Sequence, residues 1–232
     1  MIWGVITFPG STCDRDCVHV LRHVLTQDVR EVWYKERSVA GLDAVVLPGG
    51  FSYGDYLRAG AIAATAPVVD AVRAAAERGV PVLGICNGFQ ILTEARLLPG
   101  TLLRNRSLRF ICCDVHVRVE SVRTPFTQGL REGEVLRMPV AHAEGRYAAS
   151  PEVLRLLERE QQVIFRYCDP AGRVLPVANP NGAVRAIAGV CNRAGNVVGL
   201  MPHPERSAEA PLGSSDGRRM FESVLLAMTG VR

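Results

Sequence analysis

The stretch from Val82 to Gln90 reads VLGICNGFQ and places Cys86 between two glycines, Gly84 and Gly88. The apolar residues before Cys86 predict a short buried strand, and the residues from Asn87 to Ala95 predict a helix. A nucleophile elbow has this form, because a sharp strand-to-helix turn needs small neighbours on both sides of the nucleophile. Such a turn would hold the Cys86 sulfur at a helix N-terminus, where the helix dipole favours a thiolate.

The alternative is a structural cysteine packed between two glycines. The G-x-C-x-G pattern alone does not distinguish a structural cysteine from a nucleophile. The strand-to-helix junction at Cys86 favours the nucleophile, because elbow motifs depend on that structural context.

Apolar strands and amphipathic helices alternate on both sides of this junction. Besides Pro81–Ile85, strands are predicted at Ile2–Phe8, Val29–Tyr34 and Asp43–Leu47. A helix is predicted at Thr65–Gly79, with Thr65 as its cap and Pro67 in its first turn. Further helices are predicted after Gly10, with Cys17, Val20, Leu21 and Val24 on one face, and near the C-terminus, with Phe221, Val224, Leu225 and Met228 on one face.

The pattern changes after Thr101, where strand-like segments follow one another and suggest antiparallel strands added to one side or edge of the sheet. These segments are Ile111–Val119, Val135–Val140, Val163–Tyr167, Val184–Val190 and Val197–Met201. The chain is therefore predicted to be a single α/β domain over residues 1–232. Its sheet is expected to be doubly wound and mostly parallel, with helices on both faces and added antiparallel strands.

Composition sets limits on the class of protein. The 232 residues carry a formal net charge of +4 with no block of like charges, which gives nucleic-acid binding no support. No long apolar run or basic N-terminal region predicts a membrane span or a signal peptide, so a cytoplasmic location is expected. The seven cysteines show no CxxC spacing, so neither a disulfide framework nor a metal site is expected.

A thiol nucleophile needs a base and a group that orients the base. His203 follows an apolar run and lies between two prolines, which would hold the backbone extended and project His203 and Glu205 to one face. The alternative is a rigid surface turn with a solvated Glu205. His142 lies in a loop-like segment that could line a site or form polar surface.

Oxyanion stabilisation needs about two backbone N–H donors. Gly50, at the end of a predicted strand, and Asn87, after the nucleophile, are the natural pair. A plain turn at Pro48–Gly50 is the alternative.

The segment Gly84–Gln90, together with the triplet His203–Glu205, is similar to the class I glutamine amidotransferases, whose patterns are G-x-C-x-G-x-Q and H-P-E. More narrowly, further segments resemble the glutaminase subunits of phosphoribosylformylglycinamidine synthases. These segments are Gly10–Asp16, Leu47–Gly60, Ala141–Gly145, Asn179–Gly182 and Met201–Arg206. The resemblance spans nearly the whole chain, with Thr12 where Asn is common and Ala143 where Gly is common.

The resemblance implies a flavodoxin-like fold and a triad, with Cys86 as nucleophile, His203 as base and Glu205 as its orienter. It implies oxyanion donors at Gly50 and Asn87. Residues at the glutamine site would be Gly49, Phe51 and Gln90.

The resemblance also implies a role in purine biosynthesis. Ammonia released from glutamine would pass to a separate synthetase subunit, which uses ATP to amidate formylglycinamide ribonucleotide. A small third subunit often bridges the two. No metal or organic cofactor is expected on this chain.

Three alternatives remain open on the sequence. One is the glutaminase of another amidotransferase, against which the Phe51–Gly60 loop argues. Another is a cysteine hydrolase or chaperone-like protein of similar fold, against which the H-P-E triplet argues. The third is a flavodoxin-like binding module, which has no need for Cys86 at an elbow together with His203.

Overall fold

The computed structural model describes residues 1–229 and is built around one large sheet. Its strands run in the order β2-β1-β3-β4-β11-β10-β9-β6-β7, and β5 pairs with β8 in a separate ribbon. The strands are β1 Ile2–Thr7, β2 Asp28–Trp33, β3 Ala44–Leu47, β4 Val82–Ile85, β5 Thr101–Leu103, β6 Ile111–Val119, β7 Val135–His142, β8 Arg146–Ala148, β9 Val163–Cys168, β10 Ile187–Cys191 and β11 Val197–Leu200.

The large sheet has a parallel part and an antiparallel part. From β2 to β11 the neighbouring strands are parallel, and from β11 to β7 they are antiparallel. The predicted α/β fold class, with antiparallel strands added to a parallel sheet, is confirmed. Strand β11 differs from the prediction, because it belongs to the parallel part and lies beside β4. Its fully buried sequence fits this central position. The predicted strand Val184–Val190 begins with a 3₁₀ turn at Val184–Ala186, so β10 starts at Ile187, and strands β5 and β8 were not predicted.

The helices are α1 Asp14–His19, α2 Pro67–Glu77, α3 Asn87–Glu94, α4 Pro151–Arg159 and α5 Arg218–Thr229. A turn of π-helix, Val20–Val24, continues α1. Among residues 1–229, no helix is both long enough and apolar enough to cross a bilayer.

Two details of the predicted helices are corrected. Thr65 does not cap α2: Ala66 is the N-cap residue, and the Thr65 hydroxyl donates to the Ile62 carbonyl in a preceding 3₁₀ turn. Helix α4 was not predicted, although Ser150 caps it through the Val153 N–H. Met228, the last residue of the predicted apolar face of α5, is 52% exposed.

The centre of the sheet positions the end of β4. Strands β3, β4 and β11 are buried along their whole length, so the chain leaves β4 from the middle of the core. Helix α3 packs across these strands through Phe89, whose ring lies against the Gly199 backbone of β11. Packing of α3 against β3, β4 and β11 therefore fixes the position of the β4–α3 junction.

Candidate active site

Cys86 forms the sharp turn that the sequence predicts. It is the N-cap residue of α3, and its backbone has φ 49° and ψ −103°, a positive-φ conformation outside the left-handed helical region that is strained for a residue with a side chain. The Cys86 N–H donates to the Leu200 carbonyl at 2.8 Å, which ties the turn to β11. The side chain is buried, and its Sγ lies 3.7 Å from the Ala141 carbonyl oxygen.

The two glycines of the elbow are required by close backbone contacts. A Cβ on Gly84 would lie 2.7 Å from the carbonyl oxygen of Gly88, and a Cβ on Gly88 would overlap the Leu47 carbonyl. Side chains at these positions would force β3, β4 and α3 apart. The G-x-C-x-G pattern therefore reflects packing as well as the backbone conformation of Cys86.

His203 and Glu205 form a buried pair next to the elbow. His203 Nδ1 lies 2.6 Å from Glu205 Oε1, and both side chains are at most 2% exposed. The predicted extended backbone is wrong, because Pro204–Arg206 form a 3₁₀ turn. The turn brings the two side chains together all the same. The His203 N–H donates to the Pro139 carbonyl at 2.8 Å, which anchors the turn on β7.

The electrostatic surroundings of His203 favour its charged form. Burial by itself lowers the pKa of His203, but the Glu205 carboxylate and the Cys86 and Cys13 sulfurs together outweigh this effect. The net pKa lies well above the ordinary value. His203 Nε2 is buried and makes no hydrogen bond of ordinary geometry within residues 1–229, so it is free to exchange a proton with a neighbouring group.

Gly49 and Gly50 lie against the loop that follows β1. The Thr12 and Cys13 N–H groups donate to the Gly49 carbonyl, each at 3.2 Å, and the Phe51 N–H donates to the Gly10 carbonyl at 2.8 Å. Ser11 and Gly50 are thus the non-hydrogen-bonded pair of a short antiparallel bridge. In such a pair the N–H groups point away from the partner strand, so the Gly50 N–H faces away from the first loop.

Asn87 and Gln90 belong to one buried chain of hydrogen bonds. The Ser52 N–H donates to Asn87 Oδ1 at 3.2 Å, and Asn87 Nδ2 donates to Gln90 Oε1 at 2.9 Å. Gln90 Nε2 then donates to the Glu144 carbonyl at 2.7 Å. This chain connects the loop after Gly50 with the start of α3 and with the loop after β7.

Phe51 is 43% exposed and stands at the edge of the site. Its ring packs against Phe110, with centroids 6.4 Å apart. The structure thus brings Gly49, Cys86, Asn87, Gln90, His203 and Glu205 into one buried region and leaves Phe51 at its rim.

His142 lines the same region as a neutral imidazole. Its pKa is lowered to about 4, first by burial and then by the charge of His203. His142 Nδ1 lies 3.1 Å from Asn105 Oδ1, which also accepts from the Gly145 N–H at 3.0 Å. Asn105 therefore shapes the loop after β7, and no pattern in the sequence singles it out.

Cys13 and Arg206 are the two neighbours of the pair that sequence reasoning missed. Arg206 Nη2 lies 3.0 Å from Cys13 Sγ, and donor atoms of Cys13, His203 and Glu205 lie within 4.8 Å of one another. Sulfur, nitrogen and carboxylate oxygen are ligands that suit Zn²⁺. A metal ion would compete here with the Arg206 guanidinium for the sulfur and with Glu205 for His203, so we interpret the cluster as part of the triad. Cys13 lies in Gly10–Asp16 and Arg206 lies in Met201–Arg206, two of the segments that resemble the glutaminase subunits. That resemblance was the signal in the sequence that could have identified them.

A surface cavity of about 610 Å³ lies elsewhere, between β6, β9 and the 174–186 segment. It is lined in part by Arg118, Arg166 and Arg185, which pair with Glu120 and Glu158. None of the predicted site residues lines this cavity. Cavity size therefore does not locate Cys86.

Comparison with known proteins identifies the family of the chain. Residues 3–220 match the model of the CobB/CobQ-like glutamine amidotransferase domain. The chain is 56% identical over 225 residues to the phosphoribosylformylglycinamidine synthase subunit PurQ of Acaryochloris marina, covering 97% of this chain and 96% of the relative. It is 55% identical to that subunit of Gloeobacter violaceus over 231 residues, covering 100% of both chains.

Solved structures extend the comparison. A chain in the structure of PurLQS from Thermotoga maritima superposes with a TM-score of 0.87 at 42% identity, covering 98% of both chains. A putative GMP synthase subunit from Thermoplasma acidophilum matches with a TM-score of 0.63 at 16% identity, covering 99% of this chain and 95% of that one, which supports the fold alone.

The chain belongs to the glutamine amidotransferase family, and the resemblance inferred from its motifs is confirmed. Within that family it is related to the PurQ subunits. The alternatives of a binding module and of an unrelated cysteine hydrolase are set aside by this membership.

The buried neutral His142 makes stability depend on pH. Because its pKa is about 4 in the folded protein and higher in the unfolded chain, the unfolded chain binds the proton first as the pH falls. His142 therefore contributes stability that is complete above its unfolded pKa of about 6.5 and is lost as the pH falls toward 4. Relative to His142→Gln, wild type should lose about 3 kcal/mol of unfolding free energy between pH 7 and pH 4. Urea unfolding of both proteins across this range measures it, and a difference that is independent of pH would contradict the assignment.

Proposed function

We propose that this chain is the glutamine-hydrolysing subunit of a phosphoribosylformylglycinamidine synthase. The observation that carries the proposal is the strained Cys86 at the N-terminus of α3, next to the buried His203–Glu205 pair. Full-length identity to PurQ subunits supports the choice of this synthase among the amidotransferases.

In the proposed mechanism, the Cys86 sulfur attacks the side-chain amide carbon of glutamine. His203, whose raised pKa favours the imidazolium, holds the proton of the Cys86 thiol at Nε2 and gives it to the leaving ammonia, which leaves a γ-glutamyl thioester on Cys86. His203 then activates a water molecule that releases glutamate and restores the thiol. Glu205, bonded to Nδ1, holds the ring in the tautomer and orientation that both proton transfers require.

The oxyanion of the tetrahedral intermediate is assigned to the backbone N–H groups of Gly50 and Asn87. Each such donor contributes on the order of 3 kcal/mol to transition-state stabilisation. The outward direction of the Gly50 N–H and the place of Asn87 as the first residue of α3 support this assignment. Gly49, Phe51 and Gln90 are assigned to the glutamine site, where Gln90 acts by holding the loop after β7 through Glu144.

The ammonia is passed to a separate synthetase subunit, where ATP is used to amidate formylglycinamide ribonucleotide. The sequence contains no G-x-x-x-x-G-K-[ST] phosphate loop, so we assign the ATP-dependent step to that subunit. A small bridging subunit, a cytoplasmic location and the absence of a cofactor on this chain are parts of the same proposal.

The partner is expected to bind an exposed apolar patch made by Phe51, Tyr56, Leu57, Leu108 and Phe110. Their exposed fractions run from 43% at Phe51 to 92% at Leu57, and the Phe51–Phe110 contact joins the two loops that carry them. Tyr53 in the first loop packs instead on Tyr34 of the protein itself, in an edge-to-face contact at 5.8 Å. Apolar and aromatic residues exposed in this way are typical of partner-binding surfaces.

This patch is connected to both oxyanion donors. Phe51 follows Gly50 directly, and the Ser52 N–H is bonded to the Asn87 side chain. Tyr53, Asp55 and Leu57 have positive φ angles of 54°, 54° and 67°. A loop strained in this way holds its shape only through its surroundings, so a bound partner can adjust the Gly50 N–H.

The triad predicts graded losses of activity. Cys86→Ala and His203→Ala should each abolish glutaminase activity, because nucleophile and base act as a unit. Glu205→Ala should retain measurable activity, since the carboxylate sets only the tautomer and geometry of the base. His142→Ala should cost less than His203→Ala. Steady-state release of glutamate measures all four, and a larger loss at His142 than at His203 would show that the base is wrongly assigned.

The patch predicts activation by the partner. The chain alone should hydrolyse glutamine slowly, and the purified synthetase with acceptor nucleotide and ATP should raise the rate, because partner binding completes the oxyanion site. Leu57→Asp should remove this activation while leaving the slow rate of the isolated chain unchanged.

Val177→Asp is the matched control, since Val177 is 90% exposed but lies outside the patch. It should be activated as wild type is. Full activity of the isolated chain, unchanged by the synthetase, would exclude the switch, and normal activation of Leu57→Asp would exclude the patch.

A further inference from the structure

We infer that Cys13 is a positioning residue for the triad: its sulfur, held by Arg206, sets the orientation of the His203 ring against Gly49. The inference rests on the proposed role of His203 as the base. It gives a function to a thiol to which no pattern in the sequence assigns one.

The sulfur of Cys13 is held in place from the Arg206 side. Arg206 Nη2 donates to Cys13 Sγ at 3.0 Å, and Arg206 Nε donates to Asp16 Oδ2 at 3.3 Å. The guanidinium has no acceptor atoms, so the sulfur is the acceptor of a charge-assisted hydrogen bond. Arg206 directly follows Glu205 in the sequence, so these two bonds tie the segment that carries Glu205 to Cys13 and to the first turn of α1. Cys13 itself is only 2% exposed.

The other side of the sulfur faces the base. Its distances to a His203 ring nitrogen and to a Glu205 carboxylate oxygen are at most 4.8 Å. A Cβ built on Gly49 would lie 2.7 Å from His203 Cε1 and 3.1 Å from Cys13 Sγ. The imidazole and the sulfur therefore lie together over the same face of Gly49. The Cys13 N–H also donates to the Gly49 carbonyl at 3.2 Å, so one residue contacts both the base and the segment that carries the oxyanion donor.

A further support is needed because Glu205 alone holds the His203 ring by one bond. Glu205 Oε1 bonds to Nδ1, whereas Glu205 Oε2 is buried and without a hydrogen-bond partner within residues 1–229. A single bond permits the ring to rotate about its own side-chain torsions. The Cys13 sulfur and the bare Gly49 backbone limit that rotation from the side. The sulfur also helps to raise the pKa of His203 against the opposing effect of burial.

The experiment compares Cys13→Ala, Cys13→Ser and Arg206→Gln in the complex with the synthetase, with Cys191→Ala as control. Cys191 is also a fully buried thiol, in β10. Cys13→Ala should lower kcat about tenfold, because small displacements of a catalytic group are costly. KM for glutamine should change less than about twofold, since ground-state binding is not affected.

The pH profile separates positioning from a loss of stability. In Cys13→Ala the alkaline limb of kcat should move to lower pH, because His203 loses one of the groups that keep it protonated. Cys13→Ser should recover most of kcat and the wild-type profile, since its hydroxyl can accept from Arg206. Arg206→Gln should resemble Cys13→Ala in kcat and in pH profile. The variant that carries both substitutions should lose less kcat than the two single losses combined, because both remove the same interaction. Cys191→Ala should lower thermal stability but not kcat.

A wild-type kcat and pH profile in Cys13→Ala would overturn the inference. A fall in kcat of Cys191→Ala that accompanies its fall in thermal stability would also overturn it, because loss of stability alone would then explain the lower kcat of Cys13→Ala. A loss in Cys13→Ala as complete as that of Cys86→Ala would make Cys13 part of the reacting machinery rather than a positioning residue. The proposed function is tested separately, because it fails only if the wild-type complex releases no glutamate from glutamine.

Discussion

The strained positive-φ backbone of Cys86 is the constraint on which the rest of the site depends. A side chain at φ 49° is unfavourable by itself and persists because the structure around it permits no other path. Gly84 and Gly88 bring β4 and α3 so close that the turn between them has to be sharp. The bond from the Cys86 N–H to Leu200 holds the turn against β11. The packing of the core therefore fixes the direction in which the Cys86 sulfur points.

The other groups of the site reach Cys86 through loops that are bonded to one another. The loop after β1 holds Gly49 through its carbonyl, and the loop after β3 bonds to the side chain of Asn87. The loop after β7 is held by Gln90 and Asn105. Because these polar groups are buried and mostly paired, each loop limits the movement of the next. In the proposed mechanism, a partner bound at the rim therefore acts on the proposed oxyanion donors through these loops.

Much of the parallel sheet and the elbow could be predicted from sequence, because both rest on local patterns. Continuous apolar runs mark β3 and β4, and two glycines around a cysteine mark the turn. The H-P-E triplet identified the pair, although its backbone is a 3₁₀ turn rather than extended. The two side chains meet because His203 and Glu205 are only two residues apart, and the prediction of the pair therefore did not depend on the backbone conformation between them.

The remaining features depend on contacts distant in sequence. The position of β11 beside β4 is set by pairing across more than a hundred residues, which no local pattern specifies. Helix α4 was missed in a stretch otherwise interpreted as strands. The role of Cys13 follows from Arg206, 193 positions away. Met228 continues the apolar stripe of α5 but is 52% exposed, so periodicity alone does not give its burial.

The most direct test of this account is to identify the residue that reacts with an electrophilic analogue of glutamine. All seven cysteines are free thiols, and Cys112 and Cys113 are more exposed than Cys86, so accessibility alone would favour them. The protein is treated with a glutamine-mimicking chloroketone in the presence and absence of excess glutamine, digested and mapped by mass spectrometry. The account predicts a single rapid label on Cys86 that glutamine suppresses and that His203→Ala slows. Preferential labelling of Cys13, Cys113 or Cys191, or labelling that glutamine does not suppress, would contradict it.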